Sequence, residues 1–175
     1  VYTSTPFRGL KHLAKLFPPI KQAFPKAQLR IFSSLKVYQQ DQEDHAYEEL
    51  FQTFANMDGV EYVGSVSQSE LALALREALV LSYPNTFTEM CPITIMESMA
   101  AGLAIVSTDA GGIPEVAHDY GVLLPIKPAA AYAQKFCKHV IEALEAFERK
   151  DPAFIARLED QLRFAHDNYR WAIRA

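Results

Sequence analysis

Cysteine, tryptophan and glycine are all scarce: two, one and seven in 175 residues. Cys91 and Cys137 form neither a disulfide framework nor a metal-ligand pattern, so a reducing compartment, the cytoplasm, is the expectation. No apolar run approaches the roughly 20 residues a membrane helix needs, and no signal-peptide layout is present. Positive charge is not in excess either. The formal net charge is −4 and the pI about 5.7. This excludes overall attraction to nucleic acid or an anionic membrane, while leaving room for a local basic pocket for a small anion. The usual nucleotide and hydrolase signatures are missing too. No G-x-G-x-x-G follows the first strand, no G-x-x-x-x-G-K-[ST] occurs, and no G-x-S-x-G elbow is found. The five histidines show no zinc spacing. Dinucleotide-dependent hydride transfer, P-loop ATP hydrolysis, serine-hydrolase chemistry and a metal site therefore lose their equipment.

What remains is a balanced composition, 50% hydrophobic and 22% charged, that suits one domain with a sizeable core. The sequence starts at Val1, already strand-like, which suggests a piece of a longer protein. Short β-branched runs alternate with helical stretches. Strands are expected at Val1–Thr3, Gln28–Ser33, Val60–Gly64, Ala78–Tyr83, Leu103–Thr108 and Gly121–Leu124. Helices are expected from near Gly9, at Glu48–Met57, Gln68–Arg76, Pro92–Ala101, Pro114–Ala117, Ala129–Arg149 and Pro152–Ala165. Ser67 and Glu70 have capping-box spacing. Pro18 and Pro19 should break or kink the first helix. Phe51, Phe54 and Phe136 fall at core spacing. The alternation predicts an α/β, Rossmann-like parallel sheet with helices on both faces. In such sheets ligands bind beyond the carboxyl ends of the strands. The loops Ser4–Arg8, Gly64–Ser67, Tyr83–Pro92 and Thr108–Pro114 are thus the places to look for chemistry.

The loop Tyr83–Pro92 and the helix after it hold most of the candidates. Pro92 suits the first helical position, leaving the neighbouring amides free at the positive end of the helix dipole. At about 100° per residue, Ile93, Met96 and Ala100 make one apolar stripe, with Glu97 on its flank. A carboxylate placed there is costly unless it meets partners such as the vicinal hydroxyls of a sugar or ribose. Glu89 precedes the helix and can face the same crevice. The plain alternative is that both acids are solvated surface. Gly111 and Gly112, between a buried strand and a proline-initiated turn, permit close backbone approach to a ligand, or simply make a tight turn. Arg8, after the first strand, could pair with a diphosphate or lie solvated. Cys91 reads as a small packing residue.

Glu89-x7-Glu97, the following Ser-Met-Ala-Ala-Gly102, and Ser107-Thr-Asp-Ala-Gly-Gly-Ile-Pro-Glu115-Val together resemble the retaining glycosyltransferases of GT-B fold, in particular the sucrose-synthase and mannosyltransferase-like group. The likeness runs from Phe7-Arg-Gly-Leu10 through Tyr62-Val-Gly64 to Gly121. It corresponds to the C-terminal, donor-binding half of such enzymes, so that residues 1–175 would form a donor domain whose N-terminal acceptor domain is absent. The resemblance implies a nucleotide-diphosphate sugar as donor and no cofactor or metal. Glu97 would hold the ribose, Glu89 the transferred sugar, and Arg8 the diphosphate. Amides around Met90, Cys91 and Ile93 would touch sugar and diphosphate, and the Gly64–Val66 loop would lie against the base. Two departures accompany it. Related enzymes often carry a second basic residue near the place of Tyr2 or Ser4, and a glycine-rich loop where Met90-Cys91-Pro92 stands. They leave open a catalytically idle nucleotide-sugar binding or interaction module and, more remotely, an epimerase or phosphorylase on the same plan. Tyr169–Ile173 could dock on the missing half.

Overall fold

The computed structural model describes residues 1–35, 45–127 and 129–169. Its elements are β1 (Tyr2–Thr3), α1 (Leu10–Ala23), β2 (Leu29–Phe32), α2 (Glu48–Ala55), β3 (Val60–Tyr62), α3 (Gln68–Arg76) and β4 (Val80–Tyr83). They continue with α4 (Ile93–Ala100), β5 (Ala104–Thr108), α5 (Ile113–Ala117), β6 (Val122–Leu124), α6 (Ala129–Glu148) and α7 (Pro152–Asn168). The strands pair in parallel as β1-β2-β3 and β4-β5-β6. The Val1 backbone joins the two ladders. Its nitrogen donates to Val80 O at 2.8 Å, and its carbonyl accepts from Ser82 N at 2.9 Å. The strands thus follow the order β3-β2-β1-β4-β5-β6, and the winding reverses between β1 and β4. Such a reversal opens a crevice beyond the strands' carboxyl ends.

The right-handed crossover rule puts α1 and α2 on one face of the sheet and α4 and α5 on the other, and the helices pack accordingly, α1 on α2 and α4 on α5. The last two helices close the layers, α6 packing on α1 and the β4-β5-β6 half and α7 on α4. Fully buried Ile31, Leu81 and Ile105 line the middle of the sheet, and the buried Phe51, Phe54 and Phe136 take the core places their spacing predicts. No helix of the described residues is long and apolar enough to cross a membrane.

Three local expectations are corrected. First, Pro18 and Pro19 do not break α1, which continues through them to Ala23. Both prolines are exposed, and the carbonyls they leave unpaired, on half-buried Ala14 and exposed Lys15, lie toward the water side of the helix. Second, Pro92 is the N-cap of α4 rather than its first residue, and its carbonyl accepts from Ile95 N at 3.0 Å. Third, the buried face of α4 is Thr94, Ile95, Ser98 and Met99, not the stripe of Ile93, Met96 and Ala100. Ile93 is exposed, while Met96 and Ala100 are half-buried beside Ala165 and Tyr169 of the α7 end. Arg170–Ile173, part of the segment expected to dock elsewhere, lie outside the described residues.

The capping box at Ser67 forms as expected. Ser67 Oγ accepts from Glu70 N at 3.3 Å, and Ser67 N donates to Glu70 Oε2 at 2.8 Å. Because Val66 and Gln68 flank this cap, it also fixes one wall of the crevice. Ser67→Ala should cost ~1 kcal/mol of stability, read as a lower urea midpoint at constant m. An unshifted midpoint would show the cap to be idle.

Candidate functional site

A cleft of about 520 Å³ opens at the winding reversal. Its floor comes from the strand exits: Thr3 at the end of β1 with Ser4 and Thr5 after it, Phe32, Ser33 and Ser34 at the end of β2, and Gly64–Val66 after β3. Its outer wall is Gln68 and Leu71 of α3 with Cys91, Ile93, Thr94 and Glu97 at and around the start of α4. Arg8 closes the β1 side. Of the residues singled out from sequence, Arg8, Gly64, Val66, Cys91, Ile93 and Glu97 therefore share one cleft.

Glu89, Met90, Gly111 and Gly112 do not line it. Glu89 is 5% exposed and lies behind Arg8, its Oε1 3.1 Å from Arg8 Nε and accepting from Tyr83 Oη at 2.7 Å. Burial and that carboxylate hold the Tyr83 phenol protonated, far above the usual phenol range. Met90 points to solvent. Gly111 and Gly112 serve the loop's own backbone. A Cβ on Gly111 would stand 2.2 Å from Glu89 O, and Gly112 N donates to that same oxygen at 2.6 Å. Cys91 is exposed rather than a packing residue, because the turn before Pro92 lifts it off the core into the cleft wall. The amide of Ile93 is already donated to Cys91 O at 2.9 Å.

The exit loop of β4 is clamped from below. Asn85, fully buried, donates through Nδ2 to Phe87 O at 2.6 Å and accepts Phe87 N on Oδ1 at 2.9 Å. Ser107 Oγ donates to Tyr83 O at 2.8 Å, and Thr108 Oγ1 to Asn85 O at 2.9 Å. This clamp steadies the loop that carries Glu89, and Glu89 holds Arg8 by charge, since Arg8 Nε makes no hydrogen bond among the described residues. The Arg8 guanidinium also sits 5.3 and 5.4 Å from the ring centres of Phe7 and Phe87, within cation–π reach.

Across the cleft Glu97 is half-buried and accepts a hydrogen bond from Gln68 Nε2. Burial raises its carboxyl above the ordinary carboxylate range, and the Gln68 bond opposes this in part. Thr94 Oγ1 and Thr3 Oγ1 share a hydrogen bond that ties α4 to β1. Sequence reasoning missed Thr5, Ser33, Thr94, Gln68 and the Tyr83 hydroxyl. The available signal was the run Thr3-Ser4-Thr5 and the pair Ser33-Ser34, hydroxyl residues where two apolar strands end.

A parallel six-stranded sheet with its cleft at the winding reversal defines a Rossmann-like domain of the GT-B kind. Residues 2–142 match the family described as glycosyl transferases group 1, and the chain belongs to that family. It is 30% identical over 142 residues to the phosphatidyl-myo-inositol mannosyltransferase of Mycobacterium tuberculosis (strain CDC 1551 / Oshkosh), covering 80% of this chain and 35% of that one. The chain thus spans about a third of that relative's length. Its fold is similar to Anabaena HepE, solved in complex with UDP and glucose, with a TM-score of 0.70 at 16% identity, covering 95% of this chain and 43% of that one. It is also similar to sucrose-phosphate synthase from Thermosynechococcus elongatus, with a TM-score of 0.68 at 22% identity, covering 98% and 42%.

Proposed function

We propose that this chain is the donor-binding domain of a retaining glycosyltransferase that moves a sugar from a nucleoside-diphosphate sugar to an acceptor held by a further domain. The observation that carries this is the meeting of Arg8 and Glu97 on opposite walls of one cleft at the reversal of the sheet. Glu97 accepts the vicinal hydroxyls of the ribose, for which an ionised carboxylate has the acceptor capacity. Arg8 faces the diphosphate with a fork of donors that stays charged at any working pH. In the transfer, the bond between the anomeric carbon and the diphosphate oxygen breaks, and its electron pair leaves with the diphosphate. The acceptor oxygen bonds the same face and passes its proton to the departing phosphate. Such a step calls for stabilisation of the leaving group's charge rather than a strong nucleophile, and Arg8 supplies it. On this reading the transferred sugar projects past Cys91 toward Met90, and Glu89 is the acid that would meet its hydroxyls. The Gly64–Val66 loop borders the base. On this reading the enzyme works in the cytoplasm, with a partner domain for the acceptor and without a metal.

Calorimetric titration of the chain with UDP, GDP and ADP tests the reading. One of the three should bind, and Glu97→Ala should weaken it by ~1–3 kcal/mol, the scale of a hydrogen bond to a charged group. The pH dependence has a definite sign. A protonated Glu97 loses acceptor capacity, so affinity should fall as pH drops through a value above the ordinary carboxylate range. Folding shows the opposite trend. A carboxyl raised in the folded state binds its proton more tightly there than in the unfolded chain. Its contribution to stability is present below the unfolded value and lost as pH rises through the folded one. Glu97→Gln should therefore leave the free protein at neutral pH as stable as the wild type or more so, while weakening the nucleotide. Equal affinity of wild type and Glu97→Ala would remove Glu97 from the site.

A further inference from the structure

The floor of the cleft holds two hydroxyls that the fold does not use. Thr5 is 4% exposed and Ser33 is 2% exposed, and both line the cleft. Neither Thr5 Oγ1 nor Ser33 Oγ has a hydrogen-bond partner among the described residues. Buried hydroxyls are nearly always paired, because leaving one unpaired costs the desolvation of the group. The neighbouring hydroxyls obey that rule. Thr3 pairs with Thr94, Ser107 with Tyr83 O, and Thr108 with Asn85 O. Buried side-chain atoms without a partner also occur at Ser98, Tyr132 and Gln161, away from the cleft lining. Thr5 Oγ1, Ser33 Oγ and Arg8 Nε, by contrast, share one cleft, and their meeting at the exits of β1 and β2 marks a surface built for something that enters it.

The charges around them indicate what enters. Arg8 is the single cationic side chain among the described lining residues, and it is shared with Glu89 at 3.1 Å. Thr5 belongs to the same turn as Arg8, whose backbone nitrogen donates to Thr5 O at 3.1 Å. That carbonyl also accepts from Tyr2 Oη at 2.7 Å, so the backbone of Thr5 is fixed and its hydroxyl remains for the cleft. A hydroxyl donates one hydrogen bond and carries no charge, which suits a phosphate oxygen next to a cation that is already partly neutralised.

Resting on the nucleotide-sugar reading above, we infer that Thr5 and Ser33 are the hydroxyl half of the diphosphate receptor. Their O–H groups donate to diphosphate oxygens beside Arg8, and so set the cleft's preference for a diphosphate over the bare nucleoside.

The test compares wild type, Thr5→Val, Thr5→Ser and Ser33→Ala, each titrated with UDP, GDP and ADP and with the matching nucleosides. Thr5→Val and Ser33→Ala should each weaken the diphosphate by roughly tenfold to a hundredfold and leave the nucleoside unchanged. Thr5→Ser should restore binding. The melting temperature of the free protein should stay level or rise in both weakened variants, because each loses a buried, unpaired polar atom. A purely structural hydroxyl would show the reverse, with a lower melting temperature and no change in the diphosphate preference. Should Thr5→Val pack poorly, Ser33→Ala, which removes a single oxygen, carries the test. Wild-type binding with undiminished variants, or equal losses for diphosphate and nucleoside, overturns this inference alone. A wild type that binds none of the three diphosphates overturns the nucleotide reading and this inference with it.

Discussion

Gly9→Ala should lower the unfolding free energy by about 2–5 kcal/mol, which makes it one of the most damaging single-methyl changes available to this chain. Gly9 holds φ at +98° as the N-cap of α1, a left-handed conformation that costs an L side chain about 1–2 kcal/mol. Space is shorter still. A Cβ there would lie 2.0 Å from Pro84 O and 2.8 Å from Pro84 C. Neither atom can retreat. Tyr83 O is held by Ser107, Asn85 N donates to Tyr83 O at 2.8 Å, and Asn85 O is held by Thr108. Forcing a methyl into such a contact adds about 1–3 kcal/mol. Urea unfolding checks the total, as a drop in midpoint at unchanged m. The variant should also bind diphosphate more weakly, because the displaced contact lies one residue from Arg8. A midpoint within error of the wild type would mean that the turn between β1 and α1 does not touch the β4 exit at all.

Much of this architecture is legible in the sequence because it depends on patterns that repeat. Six apolar runs separated by helical periods leave little choice but a parallel sheet, and the capping box at Ser67 is local chemistry. The cleft's location follows from the sheet rule. What the pattern could not show is which side of α4 faces inward. Ile93, Met96 and Ala100 are as apolar as Ile95 and Met99, so periodicity allows either stripe, and tertiary packing on the sheet chose the second. Pro18 and Pro19 misled because the cost of a helix proline depends on whether the carbonyls it strands can reach water. Sequence does not display that; the exposed outer face of α1 does.

Glu89 shows the same limit at the site. Its sequence position allows a residue that faces the ligand, and the structure gives it two protein partners instead. The roles of Thr5 and Ser33 were hidden for the opposite reason. Serine and threonine at strand ends are ordinary, and only the absence of a partner among the described residues together with a place in the cleft floor sets these two apart.

Glu89→Ala should destabilise the chain by about 2–4 kcal/mol. Breaking a buried ion pair from one side costs about 3–5 kcal/mol, reduced here because the Arg8 side chain is 23% exposed and water screens part of its charge. The substitution removes the acceptor of the fully buried Tyr83 hydroxyl, whose other neighbour, Ser4 Oγ, is 3.4 Å away. It also leaves the Arg8 guanidinium with aromatic faces and no carboxylate. Glu89→Gln keeps a carbonyl oxygen for Tyr83 and removes only the charge, so its loss should be smaller, about 1–2 kcal/mol. A double-mutant cycle with Arg8→Ala separates the terms. If Glu89 acts by orienting Arg8, the two losses will fall short of additivity by more than about 0.5 kcal/mol, both in stability and in affinity for a nucleoside diphosphate. Strict additivity in both would show that Arg8 holds its place without Glu89. The Phe7 and Phe87 rings would then be what anchors the cation.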